Sequence, residues 1–314
     1  MSLYPPPSPI ETTLFADVVA QLGLKPRSSP WLTASGLGDT HSFLEGPSFD
    51  ADGNLYVVDT PFGRILRVSP GGEVAIAAQY DGAPNGLKVH RDGDIYIADR
   101  MNGIMHLDPV SGRISAYLGR DRLEPGFKGP NDLVFARNGD LYFTDQGNTG
   151  LQDPTGRVFR LRRSGQLDCL LDNVPSPNGI ALNPTENQLF VAVTFAQQVW
   201  RCPLLADGST HKVGVYQSFS GGFSGPDGLA VDVEGGLAVC HNRMGIVWMF
   251  DGLGIPTYRI NSCRGRLTTN LAYGGLDRRT LFITESETGS ILKAQVPVPG
   301  LDLRAATHPP IQIR

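Results

Sequence analysis

Short runs of apolar residues alternate with turn residues along most of the chain, and this pattern predicts β-strands rather than long helices. Residues 47–79 show it most clearly. Asp52-Gly53 suits a two-residue hairpin turn that needs positive φ. The strands predicted around it are 47–51, 54–59, 64–68 and 73–79. Antiparallel strands packed into about forty residues form one unit of a larger repeat.

A Gly, Pro or Asx signal opens such a run repeatedly, with one polar residue at the same place in each copy: Glu45, Asn85, Asn131, Asn178, Asp227 and Asn270. These positions are 40, 46, 47, 49 and 43 residues apart. Repeats of this length stack as equivalent units around an axis or along a line. The sequence therefore predicts an all-β, six-bladed β-propeller with four antiparallel strands per blade.

We expect a single propeller domain over residues 1–314, with blades that start near the repeated polar positions and with residues 1–40 as an N-terminal extension. The sixth copy runs out of chain after three predicted strands, 270–274, 280–285 and 290–296. We therefore expect Thr12 to Val18 to supply its fourth strand. That pairing would close the ring by joining the two ends of the chain.

Antiparallel pairing places the start of each innermost strand on the same face as the end of the second strand. The repeated polar side chains should therefore converge on that face, inside a rim of loops. Glu45 and Asp227 would repel each other there and lose hydration, which favours a hard cation between them. Each Asx residue taken alone also fits a plain turn-forming role.

Carboxylate and carboxamide oxygens are the ligands that Ca²⁺ accepts, so one divalent ion, Ca²⁺ first, is predicted. Mg²⁺, Mn²⁺ and Zn²⁺ are alternatives. The repeated position contains no His or Cys, which argues against a dedicated zinc site.

The charge balance limits the partners of this chain. Its net charge is -4, and it has no clustered Lys and Arg for a nucleic acid or an anionic membrane. The sequence shows no signal peptide and no long apolar span, so we expect a cytoplasmic protein that binds a small-molecule substrate. The oligomeric state cannot be read from the sequence. The four cysteines lack metal-binding spacing and are expected to be reduced packing residues.

Four motifs together resemble the senescence marker protein, gluconolactonase and luciferin-regenerating enzyme family of six-bladed propellers: Glu45-Gly46-Pro47, Gly129-Pro130-Asn131-Asp132, Pro177-Asn178-Gly179 and Pro226-Asp227-Gly228. The resemblance implies a divalent metal, usually Ca²⁺, held by Glu45, Asn178 and Asp227. It implies that Asn131 is a fourth ligand or a substrate contact. It also implies hydrolysis of lactones, or of organophosphates as in more distant members.

A metal-dependent hydrolase that opens a lactone or a related cyclic ester is the function predicted from these residues. The metal would polarise the carbonyl, and Asp227 would act as the base that activates water. Because coordination lowers the pKa of Asp227, the roles of ligand and base compete, and a metal-bound hydroxide is the alternative nucleophile. Hydrolysis of another electrophile (an organophosphate, a phosphoester or a cyclic ketone) and a non-catalytic ligand-binding propeller stay open.

Substrate contacts are predicted at the mouth of the ring, from Asn131, Asn85, His41, His241, Phe195 and Met101. The two histidines could shuttle protons or simply bond to backbone or solvent at the rim. Animal-type members of the family have an Arg two residues before Asn131, to hold substrate hydroxyls, and this chain has Gly129 there.

The predicted rim is apolar, with Phe62, Met101, Phe195 and Met244, which favours a substrate less hydrated than a sugar lactone. Arg100 and Arg243 in the same rim could meet an anionic group. The interpretation that the sequence favours for both arginines is a solvated surface residue.

Overall fold

The computed structural model describes residues 5–303, and these residues form six sheets, each of which contains four antiparallel strands. Blade 1 contains Leu44–Phe49, Leu55–Asp59, Arg64–Val68 and Val74–Gln79. Blade 2 contains Pro84–Val89, Ile95–Asp99, Gly103–Leu107 and Ile114–Gly119. Blade 3 contains Pro130–Phe135, Leu141–Asp145, Gly156–Leu161 and Leu167–Val174.

The remaining blades repeat the unit and confirm the predicted six-bladed propeller. Blade 4 contains Pro177–Leu182, Gln188–Val193, Gln198–Pro203 and Gly214–Ser218. Blade 5 contains Pro226–Val231, Leu237–His241, Ile246–Phe250 and Pro256–Asn261. Blade 6 contains Thr268–Gly274, Thr280–Glu285 and Ser290–Gln295.

The N-terminal segment completes blade 6 and also extends blade 5. Thr13–Asp17 pairs antiparallel with Ser290–Gln295, which confirms the predicted closure of the ring. Ser8–Glu11 adds a fifth strand to blade 5, parallel to Pro256–Asn261, a pairing that the sequence did not suggest. The Thr12 hydroxyl between these two strands donates to the Asn261 carbonyl oxygen and accepts from the Cys263 amide.

The hydrophobic core lies between neighbouring blades. Each of its six clusters contains residues from two adjacent blades. One cluster joins the last blade to the first, with Ala16, Phe282 and Ile291 packed against Leu44 and Val57. Burial of apolar surface therefore continues around the whole ring, and the N-terminal strand takes part in it.

The innermost strand of every blade is irregular at its first residues. Its pairing with the second strand shifts register there, between Glu45 and Ser48 in blade 1 and at the corresponding place in every other blade. Such a bulge bends the strand and redirects a side chain. The repeated polar residue of each blade lies within or beside this irregular segment.

Short helices and turns complete the described chain. Val18–Leu22 and Pro30–Ala34 are α-helices, and Thr60–Phe62, Arg120–Leu123 and Thr194–Ala196 are 3₁₀ turns. None of the helices in residues 5–303 has the length and apolar character that a membrane crossing requires.

All four cysteines are free, but Cys169 and Cys263 are exposed, so the expectation of packing residues holds only for Cys202 and Cys240.

Candidate functional site

The repeated polar side chains lie close together where the innermost strands of the blades begin. All of them are buried, between 2 and 7% exposed. Asn270 Nδ2 donates to Glu45 Oε2 over 3.0 Å, and Asn85 Nδ2 donates to the Asn131 carbonyl oxygen over 3.3 Å. These bonds join neighbouring blades, so the convergence expected from the repeat is observed.

Glu45 and Asp227 are the two carboxylates of this ring. Burial raises the pKa of Glu45 well above its usual value, and the negative charge of Asp227 raises it further. Burial also raises the pKa of Asp227, although hydrogen bonds from Asn242 and Asn178 oppose the shift. Both groups would ionise more readily if a positive charge lay between them.

The carboxamides of the ring differ in which of their atoms have hydrogen-bond partners. Asn270 donates to Glu45, and its Oδ1 accepts from the Leu271 amide at 2.8 Å, so it holds Glu45 in place. Asn178 donates to Asp227. Asn131 Nδ2 donates to Gln146 Oε1 at 2.8 Å, whereas Asn131 Oδ1 is buried without a partner. A buried acceptor of this kind is costly unless something positive or a donor meets it.

Asp132 was missed by the sequence analysis. Its side chain is buried, Oδ1 accepts from the Leu133 amide at 2.8 Å and lies 3.4 Å from Lys88 Nζ, and Oδ2 has no partner. The negative charge of Asp132 raises the pKa of both Glu45 and Asp227, although it is a minor cause beside burial. A signal was available, because the residue after the repeated polar position is Gly in four copies and Asp only in the third.

Asn242 is a second residue that the sequence did not suggest. Its Nδ2 lies 2.5 Å from Asp227 Oδ2, while its Oδ1 is buried without a partner. Asn242 follows the second strand of blade 5, within the predicted rim segment, but no repeated pattern marks it. It supports Asp227 from the rim side of the ring.

The other predicted substrate contacts lie at or near the rim. Phe195 and Met101 are 53% and 46% exposed. His41 Nδ1 lies 3.4 Å from Ser42 Oγ. His241 is buried, its Nδ1 accepts from Trp248 Nε1 at 3.2 Å, and burial lowers its pKa. Within residues 5–303 none of these four side chains is hydrogen-bonded to the ring, so their role as contacts stays a prediction.

The ring can be tested as a cation site on its own chemistry. In the described part of the chain, no group of three or more His, Cys, Asp or Glu side chains is placed to hold a metal ion. The predicted ligand set does not require such a group of three, because it combines the carboxylates of Glu45 and Asp227 with the carboxamides of Asn178 and Asn131. Its oxygens, including the unpartnered Asn131 Oδ1, suit a hard cation of the Ca²⁺ type. The residues present therefore fit the expected metal.

The sequence of this chain is similar to a known protein family and to individual lactonases. The model of the SMP-30/gluconolactonase/LRE-like region matches residues 43–287. A gluconolactonase of Zymomonas mobilis is 30% identical over 273 residues, which are 77% of this chain and 76% of that protein. Lactonase drp35 of Staphylococcus aureus is 27% identical over 244 residues, 74% of this chain and 73% of that protein.

A solved structure extends the comparison to the fold. The calcium-binding protein regucalcin of Agrobacterium tumefaciens superposes with a TM-score of 0.75 at 20% identity, over 94% of this chain and 97% of that one. Since the identity is low, this likeness establishes the fold alone.

Proposed function

This chain belongs to the SMP-30/gluconolactonase/LRE-like family, and from that premise we propose that it is a metal-dependent hydrolase that opens lactones. The observation that carries the proposal is the set of buried oxygens in the ring, which combines the interacting carboxylates of Glu45 and Asp227 with the unpartnered Asn131 Oδ1. The related proteins named gluconolactonase and lactonase support the reaction class.

Glu45, Asn178 and Asp227 would hold the metal, with Asn131 as a further ligand. When bound, a divalent cation would polarise the lactone carbonyl and offset the negative charge that develops on its oxygen. Ca²⁺ is favoured because all of these ligands are oxygens, and Mn²⁺, Mg²⁺ and Zn²⁺ remain candidates. The Agrobacterium protein of similar fold is calcium-binding. The proposal of Ca²⁺ for this chain rests on its own oxygen ligands.

Asp227 is the proposed general base. Burial raises its pKa to about 7 in the metal-free protein. A bound cation would lower this value and keep the carboxylate ionised, which is the form that accepts a proton from water. Asn242 and Asn178 both donate to it, so the carboxylate receives the proton at a fixed position. Asn270, from the neighbouring blade, donates a hydrogen bond to Glu45 Oε2 and so holds the Glu45 carboxylate in a fixed position.

We propose a lactone with an apolar substituent as the substrate. Phe195 and Met101 present exposed apolar side chains at the rim, and contact with them favours a poorly hydrated group over a polyhydroxylated sugar. Asn85 and His41 are proposed as further contacts. His241 is a weaker candidate, because it is buried and bonded to Trp248. We further propose that the protein binds a small-molecule substrate, that it binds neither nucleic acid nor a membrane, and that it is cytoplasmic.

The experiment is a substrate panel measured with and without metal. Protein stripped by a chelator should lose hydrolysis of sugar lactones and aliphatic lactones, and Ca²⁺, Mn²⁺ or Zn²⁺ should restore it. We expect the aliphatic lactones to give the higher kcat/KM. Turnover confined to phosphotriesters would replace the lactonase assignment by another hydrolase, and no turnover in either state would contradict an enzymatic function.

A further inference from the structure

Arg100 is half-buried and hydrogen-bonded within the protein, so the sequence-based interpretation of a solvated surface residue is wrong for it. Its Nη1 donates to Gln146 Oε1 at 2.7 Å, and its Nη2 donates to the Gly147 carbonyl oxygen at 3.0 Å. Gln146 Oε1 also accepts from Asn131 Nδ2, and Gln146 Nε2 donates to Ser176 Oγ at 3.0 Å. Arg100, Gln146 and Asn131 are therefore joined by continuous hydrogen bonds that lead to the ring of repeated polar residues.

Arg100 determines which atoms donate and which accept along this series of hydrogen bonds. An arginine side chain can only donate, so the atom of Gln146 that faces it must be the oxygen. Because this oxygen can only accept, Asn131 meets it with its NH₂ group, and this leaves Asn131 Oδ1 buried without a partner. Ser176 does not impose a direction, because a hydroxyl can either donate or accept.

We infer that Arg100 is a positioning residue for the metal centre: through Gln146 it fixes the orientation of the Asn131 carboxamide, so that an oxygen rather than an NH₂ group meets the cation. The inference rests on the proposed metal site and adds residues that do not touch the metal. Without Arg100, the carboxamide of Gln146 can rotate, and the Asn131 carboxamide can then present either its oxygen or its NH₂ group to the cation. Outer partners of metal ligands commonly act in this way.

Because Arg100 is positively charged, a positioning role and a purely electrostatic role predict opposite changes in cation affinity when Arg100 is replaced. Arg100 lies close enough to Glu45 for their charges to interact. If Arg100 acted only through its charge, its removal would strengthen the binding of a cation, because one nearby positive charge would be lost. A positioning role predicts the reverse, since a rotated Asn131 replaces an oxygen by an NH₂ group.

The first measurement is calorimetric titration of metal-free protein with Ca²⁺. We expect Arg100→Met to weaken Ca²⁺ binding by about 10- to 100-fold, the range typical for loss of an outer partner. Arg100→Lys keeps a donor-only side chain and should recover part of the loss. Arg243→Met removes the same charge from an exposed residue of the same rim and should leave affinity unchanged or slightly raised. Unchanged or tighter binding by Arg100→Met would overturn the inference.

The second measurement does not need metal. The side-chain amide resonances of Asn131, assigned by their loss in Asn131→Asp, should be protected from hydrogen exchange in the wild type and lose protection in Arg100→Met. Gln146→Glu in the Arg100→Met protein supplies an oxygen that can only accept, and should restore that protection. Protection that survives in Arg100→Met would refute the positioning role.

The two measurements separate the inference from the proposed function. If the wild type binds no divalent ion, the metal-dependent function fails, while the amide resonances still decide whether Arg100 orients Asn131. If the wild type binds Ca²⁺ and only the Arg100 effects are missing, the positioning role alone fails. Thermal unfolding of each variant shows whether a loss of affinity reflects loss of fold.

Discussion

At the scale of single residues, the repeated polar positions are equivalent in sequence and differ in their surroundings. Asn270 uses both ends of its carboxamide within the ring, whereas Asn131 leaves its oxygen unpartnered. Glu45 and Asp227 have raised pKa values because both are buried close to another negative charge. The functional differences between the positions therefore depend on neighbours that are distant in sequence.

The two carboxylates make the stability of the metal-free protein depend on pH. Burial raises the pKa of Asp227 from its ordinary value of 3.8 to about 7, and that of Glu45 moves in the same direction. The folded state then binds more protons than the unfolded state between these pH values. The free energy of unfolding should therefore fall as pH rises through this interval.

This dependence can be isolated by comparing the wild type with Asp227→Asn in urea unfolding at pH 5 and pH 8. We expect the loss of stability between pH 5 and pH 8 to be smaller in the variant, and smaller in the wild type when Ca²⁺ is saturating. An equal loss in wild type and variant would contradict the assignment to Asp227.

Asp227→Asn should also separate stability from activity. Removing one of two mutually repelling carboxylates should raise the unfolding temperature of metal-free protein at pH 8. Loss of the proposed base should lower kcat/KM for a lactone by about 10² to 10⁴. Asp172→Asn, which changes an exposed Asp on the outer strand of blade 3, should change neither quantity. A variant with wild-type turnover would show that the base lies elsewhere.

At the scale of elements, the innermost strands approach each other closely at the glycines that follow the ring residues. A Cβ on Gly179 would lie 2.3 Å from the Asp227 carbonyl oxygen and 2.9 Å from the Gly228 Cα. A Cβ on Gly228 would lie 2.2 Å from Asn270 Oδ1. The ring is therefore compact because these positions have no side chain.

Gly179→Ala should push the innermost strands of blades 4 and 5 apart. The obstructing atoms are backbone atoms of the next strand, so they cannot move aside at low cost, and we expect a loss of about 1–3 kcal/mol in the free energy of unfolding. Ca²⁺ affinity should also fall, because Asn178 moves away from Asp227. Denaturant unfolding and calorimetry measure the two effects.

Gly214→Ala is the matched control for that change. Gly214 lies on the outer strand of the same blade, and a Cβ there would meet nothing within 4 Å. We expect it to leave both stability and affinity near the wild type. Equal effects of the two substitutions would show that close strand approach does not shape the site.

At the scale of the whole molecule, the N-terminal segment holds the ring together. Thr13–Asp17 completes blade 6, and Ala16 and Val18 are buried in the cluster between the last and first blades. Ser8–Glu11 only adds an edge strand to blade 5. The two strands should therefore contribute unequally to stability.

Two truncations test this difference. Deletion of residues 1–11 removes Ser8–Glu11 and should lower the denaturation midpoint slightly. Deletion of residues 1–17 also removes the closing strand, which exposes the edge of Ser290–Gln295 and its apolar neighbours, so a larger loss and aggregation are expected. Denaturant unfolding and light scattering measure both. A similar midpoint for the two proteins would mean that closure by Thr13–Asp17 contributes little.

The sequence by itself determined the repeat, the strand order, the six blades and the convergence of Glu45, Asn178 and Asp227. These features follow from local patterns of apolar and turn residues that recur with a fixed period, and a repeat places equivalent residues at equivalent positions. The fifth strand of blade 5 was not predictable, because blade 5 already has four consecutive strands of its own and the repeat leaves no missing strand there, whereas blade 6 lacks one.

Only the tertiary structure decided which ring atoms are free and what orients them. Asp132 is marked only by a break in the repeat after Asn131. Asn242 and the hydrogen bonds from Arg100 through Gln146 to Asn131 carry no repeated signal, because each contact is made with a neighbour that differs from blade to blade. The direction of a carboxamide depends on whether its partner donates or accepts. That information resides in three-dimensional contacts, and the period of the sequence does not contain it.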